Sequence, residues 1–138
     1  MNNPGRKTLY YGTGDFAITT ADTYTGEWLT ALDGMVSATV QLKFSYGSGG
    51  TTARAYVQTT FDGTNPVDIA CVLFTTADET VSINFDGTAD AAQHVVTDGT
   101  MTDDTDISGF LGTSMRVKVI STGTYAGSTQ IAVRATVR

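Results

Sequence analysis

The chain has 138 residues, 41% of them apolar, and a net charge of −6 with a pI near 4.4. That describes one ordinary domain able to bury a core without staples, and its acidity excludes nonspecific nucleic-acid binding, which needs cations to displace counterions. The single cysteine, Cys71, excludes an intrachain disulfide and a cysteine-based zinc site. No apolar run is long enough to cross a bilayer as a helix, and residues 1–7 lead into no apolar signal segment. Neither nucleic acid nor a membrane is therefore expected as a partner.

Met1–Lys7 reads as an arm, either flexible or a contact strand, ahead of a single domain over 8–138. Thr8–Tyr11 and Phe16–Thr20 are short β-prone segments separated by Gly12-Thr13-Gly14-Asp15. Trp28–Leu32 is short and apolar, and Asp33-Gly34 turns the chain. Val36–Tyr46 carries the clearest pattern: Val36, Ala38, Val40, Leu42, Phe44 and Tyr46 alternate with Ser37, Thr39, Gln41, Lys43 and Ser45. Period two predicts a strand with one buried and one wet face; a helix would scatter those apolar positions around its axis.

Gly47-Ser48-Gly49-Gly50 then reads as a hairpin loop. In Ala53–Phe61 the alternation places Ala53, Ala55, Val57, Thr59 and Phe61 on one face and Arg54, Tyr56, Gln58 and Thr60 on the other. Asp62-Gly63-Thr64-Asn65-Pro66 is a turn. Val67–Thr75 is almost continuously apolar and predicts a strand buried on both faces, with Cys71 a small core hydrophobe. Val81, Ile83 and Phe85 mark the next strand, and Phe-Asp-Gly-Thr recurs at 61–64 and 85–88 as one turn chemistry used twice. Gln93–Thr97 is a short strand candidate, Asp98–Gly112 the longest polar loop, and Met115–Ile120 and Gln130–Arg138 the closing strands. Roughly eight to ten strands near ten-residue spacing predict an all-β antiparallel sandwich with jelly-roll or Greek-key topology.

The charges are unevenly placed. No Lys or Arg lies between Arg54 and Arg116, while ten acidic residues fall between Asp62 and Asp106. Lys43, Arg54, Arg116, Lys118, Arg134 and Arg138 sit on predicted strands. The layout implies acidic loops and a mildly basic sheet, which serves solubility and edge protection or, alternatively, docking in one orientation on another protein.

Catalytic chemistry finds little support. His94 is the only histidine, Cys71 lies mid-strand where a thiolate is disfavoured, and no Gly-x-Ser-x-Gly elbow occurs. Most carboxylates occupy turn positions. Asp104-Thr105-Asp106-Ile107-Ser108-Gly109 resembles the start of a calcium loop, but Met115 occupies the twelfth position. Asp104 and Asp106, with Asp103 beside them, are weak cation-ligand candidates, and an acidic solvated loop is the favoured reading. Gly47–Gly50 is not followed by the Lys-Ser/Thr of a phosphate loop, and no cofactor motif is present. Among the aromatic residues Tyr56, beside Arg54 and Gln58, is the best candidate for an exposed sugar-binding ring.

Leu32–Gln41 (L-D-G-M-V-S-A-T-V-Q), Tyr46–Thr52 (Y-G-S-G-G-T-T), Tyr56–Thr64 (Y-V-Q-T-T-F-D-G-T), Asp68–Ala77 (D-I-A-C-V-L-F-T-T-A), Met115–Val119 and Thr122–Gly127 together resemble small virion proteins of tailed bacteriophages. The closest likeness is to jelly-roll capsid decoration, or cement, proteins. The resemblance implies a non-enzymatic component of the virion capsid surface, made in the host cytoplasm. It would form homotrimers and bridge subunits of the major capsid protein, and no catalytic residues come with that role. A head–tail connector or tail component, and a carbohydrate-binding sandwich for host adhesion, are the alternatives. The expected contact residues are Arg6, Lys7, Leu9, Tyr10 and Tyr11 in the arm region, and Arg116 and Lys118 on a basic strand.

Overall fold

A computed structural model describes residues 5–12, 14–90 and 93–138. In chain order the strands are β1 (Gly5–Leu9), β2 (Phe16–Ala17), β3 (Thr23–Thr25), β4 (Ser37–Ser45), β5 (Ser48–Gly49), β6 (Thr52–Thr60), β7 (Pro66–Phe74), β8 (Glu79–Asp86), β9 (Thr105–Asp106), β10 (Ser114–Thr122), β11 (Tyr125–Ala126) and β12 (Gln130–Val137). None of the described residues is helical. One sheet runs β1-β12-β4-β8, with β2 also on β12; the other runs β3-β10-β6-β7-β9; β5 and β11 form a small ribbon.

The topology follows from the eight strands longer than two residues. The first pairs with the eighth (β1 with β12), the second with the seventh (β3 with β10), the third with the sixth (β4 with β8) and the fourth with the fifth (β6 with β7), all antiparallel. Alternate pairs go to alternate sheets, which is the jelly-roll arrangement of two interlocked Greek keys. The predicted all-β sandwich is thus observed, and the four two-residue strands bring the assigned total to twelve.

Apolar alternation supplies the filling. Ala38, Val40, Leu42 and Phe44 of β4 are buried, as are Ile131, Val133, Ala135 and Val137 of β12. Facing them across the sandwich are Val57, Phe74, Met115 and Val117 of the second sheet. Phe44 stacks on Phe74 at 4.9 Å between ring centroids and meets Tyr125 edge-on; such ring pairs add about 0.5–1.5 kcal/mol beyond the area they bury. The Tyr125 hydroxyl keeps its own partner by donating to the Thr75 carbonyl at 2.7 Å.

One irregularity sets up the outer surface. Val57 is opposite Ala70 but Gln58 is opposite Asp68, so Ile69 is an extra residue in β7. Phe74, Val72 and Ala70 occupy even, inward positions, and strict alternation would send Asp68 inward too. The bulge shifts the phase by one and turns Asp68 to the outer face. β7 is buried on both faces, as its apolar run predicts.

Several expectations need correction. Gly5–Lys7 belongs to β1 and pairs with Ala135–Val137, so the arm is at most residues 1–4, which lie outside the described residues. Gly47–Gly50 is not a hairpin, because β4 and β6 belong to different sheets. It is an inter-sheet corner pressed on 123–127, where a Cβ at Gly47 would stand 2.2 Å from the Gly127 carbonyl oxygen. Residues 93–97 form no strand. Val36 falls outside β4 and is exposed, and Tyr46 only half-buries against the core. The two Phe-Asp-Gly-Thr turns do share their chemistry: Asp62 accepts from the Thr64 amide and Asp86 from the Thr88 amide. Their phenylalanines differ, Phe61 being exposed and Phe85 buried.

Candidate interaction surface

The two outer faces of the sandwich have opposite character. The β3-β10-β6-β7-β9 face is covered by the chain itself, through residues 93–104. At its centre Asp68, fully buried, accepts four hydrogen bonds: from Gln58 Nε2 (2.8 Å), Thr97 Oγ1 (2.8 Å), the Gly99 amide (2.8 Å) and the Thr100 amide (3.2 Å). Its own amide donates to the Thr97 carbonyl. Gln58 passes the network on, accepting from Arg116 Nε at 2.8 Å and donating to Asp98 at 2.7 Å. Lys118 reaches the same Asp98 oxygen at 3.1 Å. Further along, Arg54 makes a bidentate pair with Asp103. Burial costs for the polar groups are offset by this near-complete pairing.

The electrostatics follow from these contacts. The Arg54 guanidinium holds the Asp103 carboxyl below its ordinary range. Burial would raise Asp98, but bonds from Gln58 and Lys118 outweigh it and lower the group instead. Burial pushes the Cys71 thiol up to about 12, with Asp103 adding to the effect, and burial together with the Cys71 neighbour lifts Tyr56 to about 12. Arg116 is lowered by burial and lies 4.3 Å from the Trp28 ring.

Two expectations fail on this face. Tyr56 is buried, not an exposed ring. Arg116 bonds Gln58 of β6 and packs on Trp28, and Lys118 pairs with Asp98 of the covering loop, so the two do not form a free basic strand. His94 stands 3.2 Å from the Asp68 carbonyl oxygen and packs near Phe110; no hydrogen bond links it to Cys71, whose sulfur faces Asp103 at 3.7 Å. Asp104 accepts from the Leu73 amide at 3.0 Å, and Asp106 lies in β9 opposite Ala70. The described residues contain no group of three His, Cys, Asp or Glu side chains able to hold a metal ion.

The β1-β12-β4-β8 face is open. Its register aligns short polar side chains in rows: Thr39 between Asn84 and Thr136, Gln41 between Ser82 and Arg134, with Arg6 beside Thr136 and Thr8 beside Arg134. Thr39 bonds Asn84 at 3.0 Å. A shallow depression of about 640 Å³ runs across it, its lining including Arg6, Lys7, Thr8, Gln41, Ser82 and Arg134. Arg134 is paired with Asp15 at 2.9 Å, whereas Arg6 and Lys43 have no ion-pair partner among the described residues. Of the other expected contact residues, Leu9 is core, Lys7 is half-buried on the inward side of β1, and Tyr10 and Tyr11 are exposed beyond its end. Tyr11 stacks on Phe16. The alternation of β4 already marked Lys43 as outward; that its sheet, and not the one holding Arg116, stays uncovered was invisible without the fold.

No protein-family model, curated protein or solved structure matches the chain.

Proposed function

We propose that this chain is a non-enzymatic virion structural protein, a capsid decoration protein of the tailed-bacteriophage kind. It docks on the major capsid protein through the open β1-β12-β4-β8 face and associates with itself, most simply as a homotrimer. The observation that carries the reading is the asymmetry of the sandwich. One face is covered by the chain's own loop, and the other presents shallow rows of short polar side chains, with the cations Arg6 and Lys43 left without ion-pair partners among the described residues. Flat, extended surfaces suit another protein, whereas small ligands favour enclosed apolar clefts. Unpaired rim cations steer association with an acidic partner surface. The carbohydrate reading loses the residue on which it stood, because Tyr56 is buried.

The test is cryo-electron microscopy of particles together with re-addition of purified protein to stripped shells. Density on the outer shell, and occupancy reduced by Arg6→Glu with Lys43→Glu at unchanged thermal stability, is the expected result. Density confined to the portal vertex would reassign the protein to a connector. Absence from particles would overturn the proposal.

A further inference from the structure

The two free edges of the open sheet are complementary in charge and in direction. On one side is β1, bearing Arg6 and Lys7; β12 takes its inner edge, and no strand among the described residues pairs with its outer edge. On the other side is β8. The Asp86 amide and carbonyl point away from β4, to Ser108 Oγ and the Gly109 amide. Antiparallel pairing alternates, so the backbone groups of Asn84, Ser82 and Thr80 point outward as well, and none has a hydrogen-bond partner among the described residues. Beyond this edge lies a groove of about 260 Å³ whose lining includes Val81, Ile83, Asp104 and Asp106. Glu79 and Asp86 end the strand, and it carries no Lys or Arg.

A lysine on an edge strand is by itself ordinary protection against pairing. Here the opposite edge carries the opposite charge. Three successive antiparallel pairings make β1 and β8 run in opposite directions. A rotation about an axis along the strands preserves direction, so β1 of a second copy laid beside β8 extends the sheet antiparallel. Lys7 faces inward, on the side of Ala135, and in that position its ammonium enters the groove beside Asp104 and Asp106. Twofold pairing would instead set Arg6 and Lys7 against their own copies, or carboxylates against carboxylates.

We infer that copies of this chain join head to tail, β1 of one adding to the β8 edge of the next, and that successive contacts close a ring. This deepens the self-association part of the reading above. A five-residue strand pair is a small interface, so ring closure, which gives every copy two contacts, provides the persistence.

The experiment is sedimentation velocity and native mass spectrometry on the full chain. Wild type is expected as one closed oligomer that weakens with salt. Lys7→Asp blocks the β1 edge, and Ser82→Pro blocks the β8 edge at an outward amide, with Thr80→Pro as its substitute should that variant not fold. Each alone is expected to be monomeric, and an equimolar mixture of the two, at protein concentrations high enough to populate a single unclosed contact, to form a weak 1:1 dimer and nothing larger. A monomeric wild type, an oligomer surviving both blocks, or a mixture that stays monomeric would overturn the inference. Shell attachment by a monomer would sink this inference alone; rings that never bind shells would sink only the capsid reading.

Discussion

Replacing Asp68 with asparagine keeps its shape and removes its charge at the point where the covering loop is fastened. The amide oxygen can serve either Gln58 or the group of three donors from Thr97, Gly99 and Thr100. Whichever it serves, the NH₂ group confronts a donor on the other side. A hydrogen bond to a charged group contributes about 1.5–3 kcal/mol, and a buried donor left without an acceptor costs about 1–3 kcal/mol. These effects overlap within one network, so the net cost is about 2–4 kcal/mol. With a urea slope of about 2 kcal/mol/M, the unfolding midpoint falls by about 1–2 M. Hydrogen exchange adds a local readout: the Gly99 and Thr100 amides lose protection while those of β4 and β12 keep theirs relative to global stability. A midpoint within about 0.3 M of wild type, inside the error of such extrapolations, with both amides still protected, would refute the claim that this carboxylate fastens the loop.

Gly112→Ala places a Cβ 1.9 Å from the Thr60 carbonyl oxygen; backbone must move, and urea denaturation should show a loss of about 1–3 kcal/mol or more. Gly63→Ala meets open space and pays only for its positive φ, about 1–2 kcal/mol in the same assay. Acid should loosen the fold in a definite window. Asp62, held by the Asn65 and Thr64 amides, Asp86, held by the Thr88 hydroxyl and amide, and Asp103, paired with Arg54, all have depressed carboxyls. Their stabilisation is complete above the unfolded value of about 3.9 and is lost as pH falls through the lower folded values. Melting temperature should therefore hold nearly constant above pH of about 5 and drop below about 4, and Arg54→Met should remove the Asp103 share. Cys71, with its thiol raised by burial, should resist Ellman's reagent at pH 8 in the native protein and react once denatured; Asp68→Asn should accelerate the native reaction by opening the loop.

Strand identity was legible wherever burial is decided locally. The alternation of Ala38, Val40, Leu42 and Phe44, and the two-sided run in β7, reported the core directly. What failed was burial decided by partners far along the chain. Tyr56, Arg116 and Lys118 alternate as wet residues do, and they are wholly or partly covered because a distant loop folds back over this sheet, bringing Asp98 to Lys118 and Asp103 to Arg54, 20 and 49 positions apart. The glycines at 47–50 announce a bend, but a bend within a sheet and a bend between sheets use the same conformations. Asp68 sits in an apolar run, and only the bulge at Ile69 explains how a carboxylate there reaches the outside. The open face was half legible: its polar rows are periodic, while the uncovered state of that sheet depends on where the 93–104 segment goes.

The pairing of β1 with β12 also governs assembly in time. The middle of the open sheet is occupied by β12, between β1 and β4, so until β12 emerges from the ribosome β1 has no lateral neighbour in this sheet and β4 has only β8. Topologies dominated by such distant pairings fold in milliseconds to seconds, and a nascent chain released short of Gln130 would carry two unzipped seams in place of one finished wall.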